Sequence, residues 1–156
     1  MFCVIEHALD WLQTNQGYQP DVLVLLQPTA PLRTAKHIDA SIELLHDSGA
    51  DTVISVTPVP SHYHPAWQLD HHPDGGLHLY TGISLRQVVS RRQELSVTFT
   101  RNGAIYAVRR HIIRQCHSLY GDRCTPYVMR PEESVNVDSL LDLKLAEILL
   151  QERMSK

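Results

Sequence analysis

The segment Gln27-Pro-Thr-Ala-Pro-Leu-Arg33 places an amide, a hydroxyl and a guanidinium just after an apolar run, with two prolines stiffening the chain between them. In an open parallel sheet, ligands settle outside the carboxyl ends of the strands. Gln27 and Thr29, two residues apart, project the same way while the backbone is extended. An ordinary strand–helix loop with polar capping residues would read the same way, and chemistry alone leaves the two readings even. In Glu132-Glu-Ser-Val-Asn-Val-Asp138, a strand would bring Asn136 and Asp138 to one face, an oxygen pair suited to Mg2+. Two oxygens do not define a hard-cation site, so spacing slightly favours a capping role for Asp138 beside Ser139. Arg91-Arg92-Gln93 could hold a carboxylate or phosphate bidentately, although paired arginines are more often a solvated surface. Asn102-Gly103 precedes an apolar run and so reads as a strand entry more readily than as a turn.

Other chemistries find less support. Five of the ten histidines (His62, His64, His71, His72 and His78) lie close together in sequence, but no cysteine is near and the spacing fits no closed Cys/His zinc site. His7, His37, His46, His111 and His117 fall on expected helices and read as surface or helix-end residues. Protonating all ten would carry the net charge from −3 to +7, so charge-dependent behaviour near pH 6 should be steep. Cys3, Cys116 and Cys124 are odd in number and widely spaced, which suits reduced thiols. No G-x-S-x-G, P-loop or G-x-G-x-x-G occurs, leaving a serine hydrolase, a P-loop NTPase and a Rossmann dehydrogenase without support.

The elements that must position these residues read as one domain over 1–156. The chain has 156 residues, of which 43% are hydrophobic and 20% charged. That composition excludes a disordered or collagen-like polymer. It provides no basic field for nucleic acid. The longest apolar run, Val22–Leu26, is too short to span a bilayer. The expectation is a soluble cytoplasmic protein without a signal peptide.

Val4, Ile5, Ala8, Leu9 and Leu12 have helical spacing, with Gly17 as the stop. Asp21–Gln27 and Thr52–Thr57 read as buried strands. Between them lies a helix capped by Thr34, striped by Ile38, Ile42 and Leu45, and ended by Gly49. That βαβ unit argues for α/β class. Pro58–Ser96 is an irregular excursion, read as a hairpin with a short helix near Leu85–Val89. Strand resumes at Asn102–Val108, followed by a short helix over His111–Cys116 and a strand near Tyr127–Met129. Ser139 and Asp142 open a last helix with a capping box. Its stripe of Leu141, Leu145, Ile148 and Leu149 should pack against a sheet.

Three motifs then stand in a telling order: Leu25-Leu-Gln-Pro-Thr-Ala-Pro-Leu-Arg33, Asn102-Gly-Ala-Ile-Tyr106, and Glu133-Ser-Val-Asn-Val-Asp138 followed by Leu141-Asp142. Together they resemble the CMP-sialic acid synthetase (acylneuraminate cytidylyltransferase) family over nearly the whole chain. Arg92-Gln93 is similar to the family's R-Q-x-L-P element, with Ser96 in place of proline. The resemblance implies a nucleotide-diphosphosugar-transferase-like, Rossmann-like fold. This is a mainly parallel sheet with helices on both faces. It also implies transfer of CMP from CTP to an acidic nine-carbon sugar, with release of pyrophosphate and a requirement for Mg2+. Gln27, Thr29 and Arg33 would bind substrate, Asn102 and Tyr106 would line the sugar pocket, and Arg92 would meet the sugar carboxylate. Asp138 with Asn136 would be the catalytic metal-binding pair. Segment 58–96 would be a dimerisation arm, making the protein a homodimer.

Two departures shape the expectation. The family's phosphate-gripping R-x-x-S-K-G…K-N loop has no counterpart here, so the chain holds the acceptor half without the triphosphate cradle, and activity from these residues alone is expected to be low. Asn136 stands where the first aspartate of a D-x-D pair is usual, which weakens a Mg2+ site. The competing expectation is a catalytically inactive sugar-acid-binding or oligomerising remnant of the same fold.

Overall fold

Asn102 to Val108 are all buried, and a run buried on both sides is what a central strand requires. In the computed structural model, which describes residues 2–73 and 75–155, that run lies within the strand β5 (Phe99–Arg109). The remaining order is α1 (Phe2–Gln16), β1 (Val22–Leu25), α2 (Ala35–Asp47), β2 (Thr52–Pro58), β3 (Leu69–His71) and β4 (Leu77–Leu79) ahead of β5. After it come α3 (Arg110–Cys116), β6 (Cys124–Val128) and α4 (Leu140–Met154). The chain divides into two compact units, Met1–Thr57 with Arg101–Lys156, and Pro58–Thr100.

The main sheet has the order β1-β5-β2-β6. β2 and β6 are parallel, with Thr52 opposite Cys124 and Val56 opposite Val128. β1 and β5 are antiparallel, with Val22 opposite Arg109 and Leu25 opposite Tyr106. β5 also runs against β2, since the Arg109 N–H donates to the Asp51 carbonyl at 3.0 Å and the Val59 N–H to the Thr98 carbonyl at 2.9 Å. Three of four strands therefore share a direction, as expected, but β5 enters antiparallel between the two strands of the βαβ unit. An antiparallel return needs no crossover helix, so an irregular segment can connect β2 to β5.

Helices cover both faces. Leu45 packs with Ala50, Val53, Ile105, Ala107 and Met129 on one side, joined by Ile38 and Leu44. On the other side Ile5 and Leu9 of α1 meet Ile112 and Ile113 of α3 over Tyr106 and Val108. The alternation Ile105/Tyr106/Ala107/Val108 between the two clusters is the two-residue period of a strand. Thr34 caps α2 reciprocally with His37, whose Nδ1 accepts the Thr34 N–H at 3.3 Å. Beyond the end of α2, Arg109 donates to the carbonyls of Leu45 at 3.1 Å and Ala50 at 2.8 Å.

The last helix departs from expectation. Its capping box is formed by Ser139 and Asp142. Yet Leu141, Leu145 and Ile148 are exposed, and Ala146 alone among the described residues of the helix is buried. The helices α2 on one face and α1 with α3 on the other hold the two core clusters, while the edge strand β6 keeps Cys124, Pro126 and Val128 exposed and the leucine stripe stays in solvent. α4 instead reaches the connection after β1, where Arg153 donates to the Leu32 carbonyl at 3.2 Å.

The second unit contains the β3/β4 hairpin, with Leu69 opposite Leu79, and four short 3-10 turns, one at Leu85–Gln87. Local hydrogen bonds order it. His64 Nδ1 accepts the Ala66 N–H at 3.1 Å, its Nε2 lies 3.0 Å from the Ser96 carbonyl, and the Trp67 indole donates to the Val89 carbonyl at 2.6 Å.

Candidate functional site

The end of β1 and the start of the buried part of β5 meet side by side. Gly103 has φ +71°, a conformation L side chains rarely adopt. A Cβ there would stand 2.5 Å from Gln27 Oε1 and 3.5 Å from Asn136 Oδ1. The missing side chain is thus what allows the Gln27 amide to lie against the β5 backbone. Arg33 fixes this approach, one of its terminal nitrogens donating to the Gln27 carbonyl at 3.0 Å and the Ala104 carbonyl at 2.8 Å. The Val137 N–H donates to the Thr29 carbonyl at 2.8 Å, drawing segment 135–138 onto the same loop.

Asn102 is buried and spends its amide on the scaffold. Its Nδ2 donates to Ser134 Oγ at 2.9 Å and lies 3.3 Å from Met129 Sδ, while its Oδ1 accepts the Ala104 N–H. Asn136 donates to Asp138 Oδ2 at 2.6 Å. Its own Oδ1 is buried without a hydrogen-bond partner, and an unsatisfied buried acceptor is costly unless something comes to fill it.

Around these groups opens a pocket of about 330 Å³, with Gln27, Gly103, Tyr106 and Asn136 in its wall together with Arg101 and Tyr120. Tyr106 and Tyr120 meet edge to face with ring centres 6.4 Å apart. Arg101 bonds the Tyr120 hydroxyl and its Cζ lies 5.9 Å from that ring's centre. Burial, with Tyr120 adding to it, pushes the Tyr106 phenol up, so it stays neutral at physiological pH. A larger cavity of about 570 Å³ lies beside Thr34, His37 and Arg153. Much of its charge is already paired, Glu133 lying 2.8 Å from Arg130 and 3.5 Å from His37, which leaves less to recruit a ligand.

Of the residues singled out from sequence, Gln27, Asn102, Tyr106 and Asn136 share one pocket, and Asp138 adjoins it through Asn136. Asn136 and Asp138 do not lie on a strand, as the spacing suggested, but in an irregular segment before α4, because the residues ahead of α4 hydrogen-bond to the β1 loop and to the capping box instead of to a sheet edge. Thr29 contributes its backbone carbonyl, and Arg33 acts on the backbone of the site's two strands. Arg92 is exposed in the second unit. Arg101 and Tyr120 escaped notice. Arg101 sits one residue before the recognisable Asn102-Gly103 pair, and Tyr120 lies in a turn that no periodicity marks.

The donor set for a hard cation is one carboxylate, Asp138, and one amide, Asn136. No group of three His, Cys, Asp or Glu side chains gathers among the described residues. Mg2+ commonly takes one or two protein carboxylates and completes its shell with phosphate oxygens and water. Asn136 turns its N–H toward Asp138, so the pair fits the protein's share of such a site only with the Asn136 amide turned over.

No family model matches the chain. It is 31% identical over 135 residues to "N-acylneuraminate cytidylyltransferase A" of Danio rerio, covering 86% of this chain and 30% of that protein. It is 29% identical to "Post-translational flagellin modification protein B" of Campylobacter coli, covering 86% of this chain and 55% of the relative. Identity is 27% to "CMP-N,N'-diacetyllegionaminic acid synthase" of Legionella pneumophila, over 84% and 54% of the two chains. The chain therefore spans from about a third to just over half of the length of these relatives. Among solved structures, one of CMP:2-keto-3-deoxy-manno-octonic acid synthetase complexed with CTP superposes with a TM-score of 0.58 at 11% identity, over 95% of this chain and 68% of the other. At that identity the likeness is one of fold. Among the described residues, no helix is long and apolar enough to cross a membrane.

Proposed function

We propose that the chain carries the acceptor-sugar half of a cytidylyl transfer, a reading supported by its similarity over most of its length to N-acylneuraminate cytidylyltransferases. In that reaction the anomeric hydroxyl of a sialic-acid-like sugar attacks the α-phosphate of CTP. A phosphorus–oxygen bond forms to the sugar, the bond to the bridging oxygen breaks, and pyrophosphate leaves. The observation that carries the reading is the convergence of Gln27, Gly103 and Asn136 on one pocket, with a buried amide oxygen that lacks a partner. The Gln27 amide in that wall can donate to or accept from a sugar hydroxyl. Tyr106, kept neutral, offers a hydroxyl on the same wall. Arg33 holds the two strands in place from behind.

Asp138, with the Asn136 carbonyl once that amide turns, would hold Mg2+ together with phosphate oxygens. The ion would neutralise charge developing on the transferred phosphoryl group. Arg92 is the resemblance's candidate for meeting the sugar carboxylate. Segment 58–96 would supply the homodimer contact, since Tyr63, Leu77 and Tyr80 within it are exposed. The three exposed free cysteines suit a reducing, CTP-containing compartment, the cytoplasm.

One observation favours the alternative of a sugar-acid-binding or oligomerising remnant: Asn136 already hydrogen-bonds Asp138, so that carboxylate is partnered without a cation. Calorimetry with N-acetylneuraminate, beside pyrophosphate release from CTP and Mg2+, separates the readings. Binding with turnover supports transfer, and binding alone supports the remnant. Absence of binding defeats transfer, and absence of binding together with a monodisperse monomer by light scattering defeats the remnant as well.

A further inference from the structure

Arg101 is unlike the other arginines of its unit. Arg114 and Arg130 lie within 4 Å of carboxylates. Arg33, Arg109 and Arg153 are spent on backbone carbonyls. Arg110 donates to the Gln19 amide oxygen and Arg123 to the Ser48 carbonyl. Arg101 donates to the Tyr120 hydroxyl, and among the described residues it is the one charged side chain in the wall of the candidate pocket. A guanidinium has five N–H donors in a planar fork, so the Tyr120 hydroxyl occupies a small part of it.

We propose that Arg101, oriented by Tyr120, is the anion contact of this pocket and grips the carboxylate of an acidic sugar. The inference rests on the acceptor-sugar reading and deepens it. Three features support it. Carboxylates pair bidentately with guanidinium forks, and no acid in the pocket wall competes for this one. The Tyr120 ring and hydroxyl keep the fork in place before a ligand arrives, which lowers the ordering cost of binding. The Gln27 amide, which can donate or accept, lines the same pocket, so the two groups together select a molecule with both an anion and a hydroxyl.

The test compares N-acetylneuraminate with its methyl ester by calorimetry. Wild type should prefer the acid by on the order of tenfold to a hundredfold, the worth of hydrogen bonds to a charged group. Arg101→Met should reduce the acid to the ester's affinity, Arg101→Lys should recover part of the preference, and Tyr120→Phe should weaken the acid several-fold while sparing the ester. Circular dichroism confirms the fold of each variant, and all these side chains are exposed enough to substitute without unfolding. If Arg101→Met keeps the preference, or Arg92→Met abolishes it while Arg101→Met does not, the assignment to Arg101 is overturned and the acceptor-sugar reading stands. Wild type that binds neither compound overturns the acceptor-sugar reading and this assignment with it.

Discussion

The middle of β5 and the segment Pro58–Thr100 are stabilised by different means. From Asn102 to Val108 every residue is buried, its side chains alternating between two apolar clusters drawn from distant parts of the chain. In Pro58–Thr100 the buried residues, among those described, are Leu79 and His64, while Tyr63, Tyr80 and Val97 are mostly exposed. Its order comes from short turns and from side chains that bond backbone groups within the same segment. One region gains from removing apolar area from water. The other leaves apolar area exposed and is suited to cover it against a partner.

Substitution should separate the two most sharply at their apolar residues. Ile105 is fully buried, and Ile105→Ala should cost about 2–5 kcal/mol through lost burial and a residual cavity. Val97→Ala in the second unit should change urea stability by no more than about 0.5 kcal/mol. Equal costs at the two positions would show that the second unit has a core of its own. If its exposed surface is the contact between copies, Tyr80→Ser with Val97→Ser should shift light scattering from dimer toward monomer and leave the melting of the main sheet in place. An unchanged mass would remove that surface as the interface.

Glycines sharpen the contrast on a smaller scale. Gly82 and Gly103 both have positive φ, +76° and +71°, but a Cβ at Gly82 meets nothing within 4 Å. Gly82→Ala should therefore cost the left-handed backbone penalty alone, about 1–2 kcal/mol. Gly103→Ala adds a collision with the Gln27 amide and should cost more, and it should also abolish sugar-acid binding. Denaturant titration and calorimetry on both variants check this. Similar losses from the two would mean that the Gln27–Gly103 approach has no special part in the site.

Much of the main unit was legible because burial on a sheet imposes patterns. The run Thr52–Thr57, the Thr34 cap and the Ser139/Asp142 box became the elements that their spacing implies, whereas Asp21–Gln27 became the shorter β1, a half-buried edge strand and not one covered on both faces. The direction of β5 was not legible, since apolar runs carry no sign and an irregular connection permits either direction. The leucine stripe of α4 misled because periodicity marks an apolar face without saying whether anything remains to cover it. At the site, Gln27 and Asn136 could be picked out by type, but the emptiness of the Asn136 oxygen depends on where Gly103 and Asp138 fall in three dimensions. Arg101 and Tyr120, nineteen residues apart, meet only because α3 turns the chain back beside β5.

The smallest effect is expected at the exposed ion pairs, and its pH dependence distinguishes the regions again. Glu133 accepts from Arg130 at 2.8 Å, and this bond, aided by His37, holds its carboxyl below the usual range against a smaller opposing effect of burial. A carboxyl depressed in the folded state contributes stability above its unfolded value, near pH 4.5, and loses that contribution as pH falls through the lower folded value. Glu133→Gln should therefore lower stability modestly at pH 6–7, and the gap from wild type should close on acidification below about pH 4. In the second unit, Glu94 lies 3.8 Å from Arg91 with both side chains more than half exposed. Glu94→Gln should change urea stability at pH 7 by no more than about 0.5 kcal/mol, because solvent screens such a pair. Parallel urea titrations from pH 3 to 7 on the two variants decide it. A gap at Glu133 that stays constant with pH would mean that packing, and not ionisation, supports that corner of the molecule.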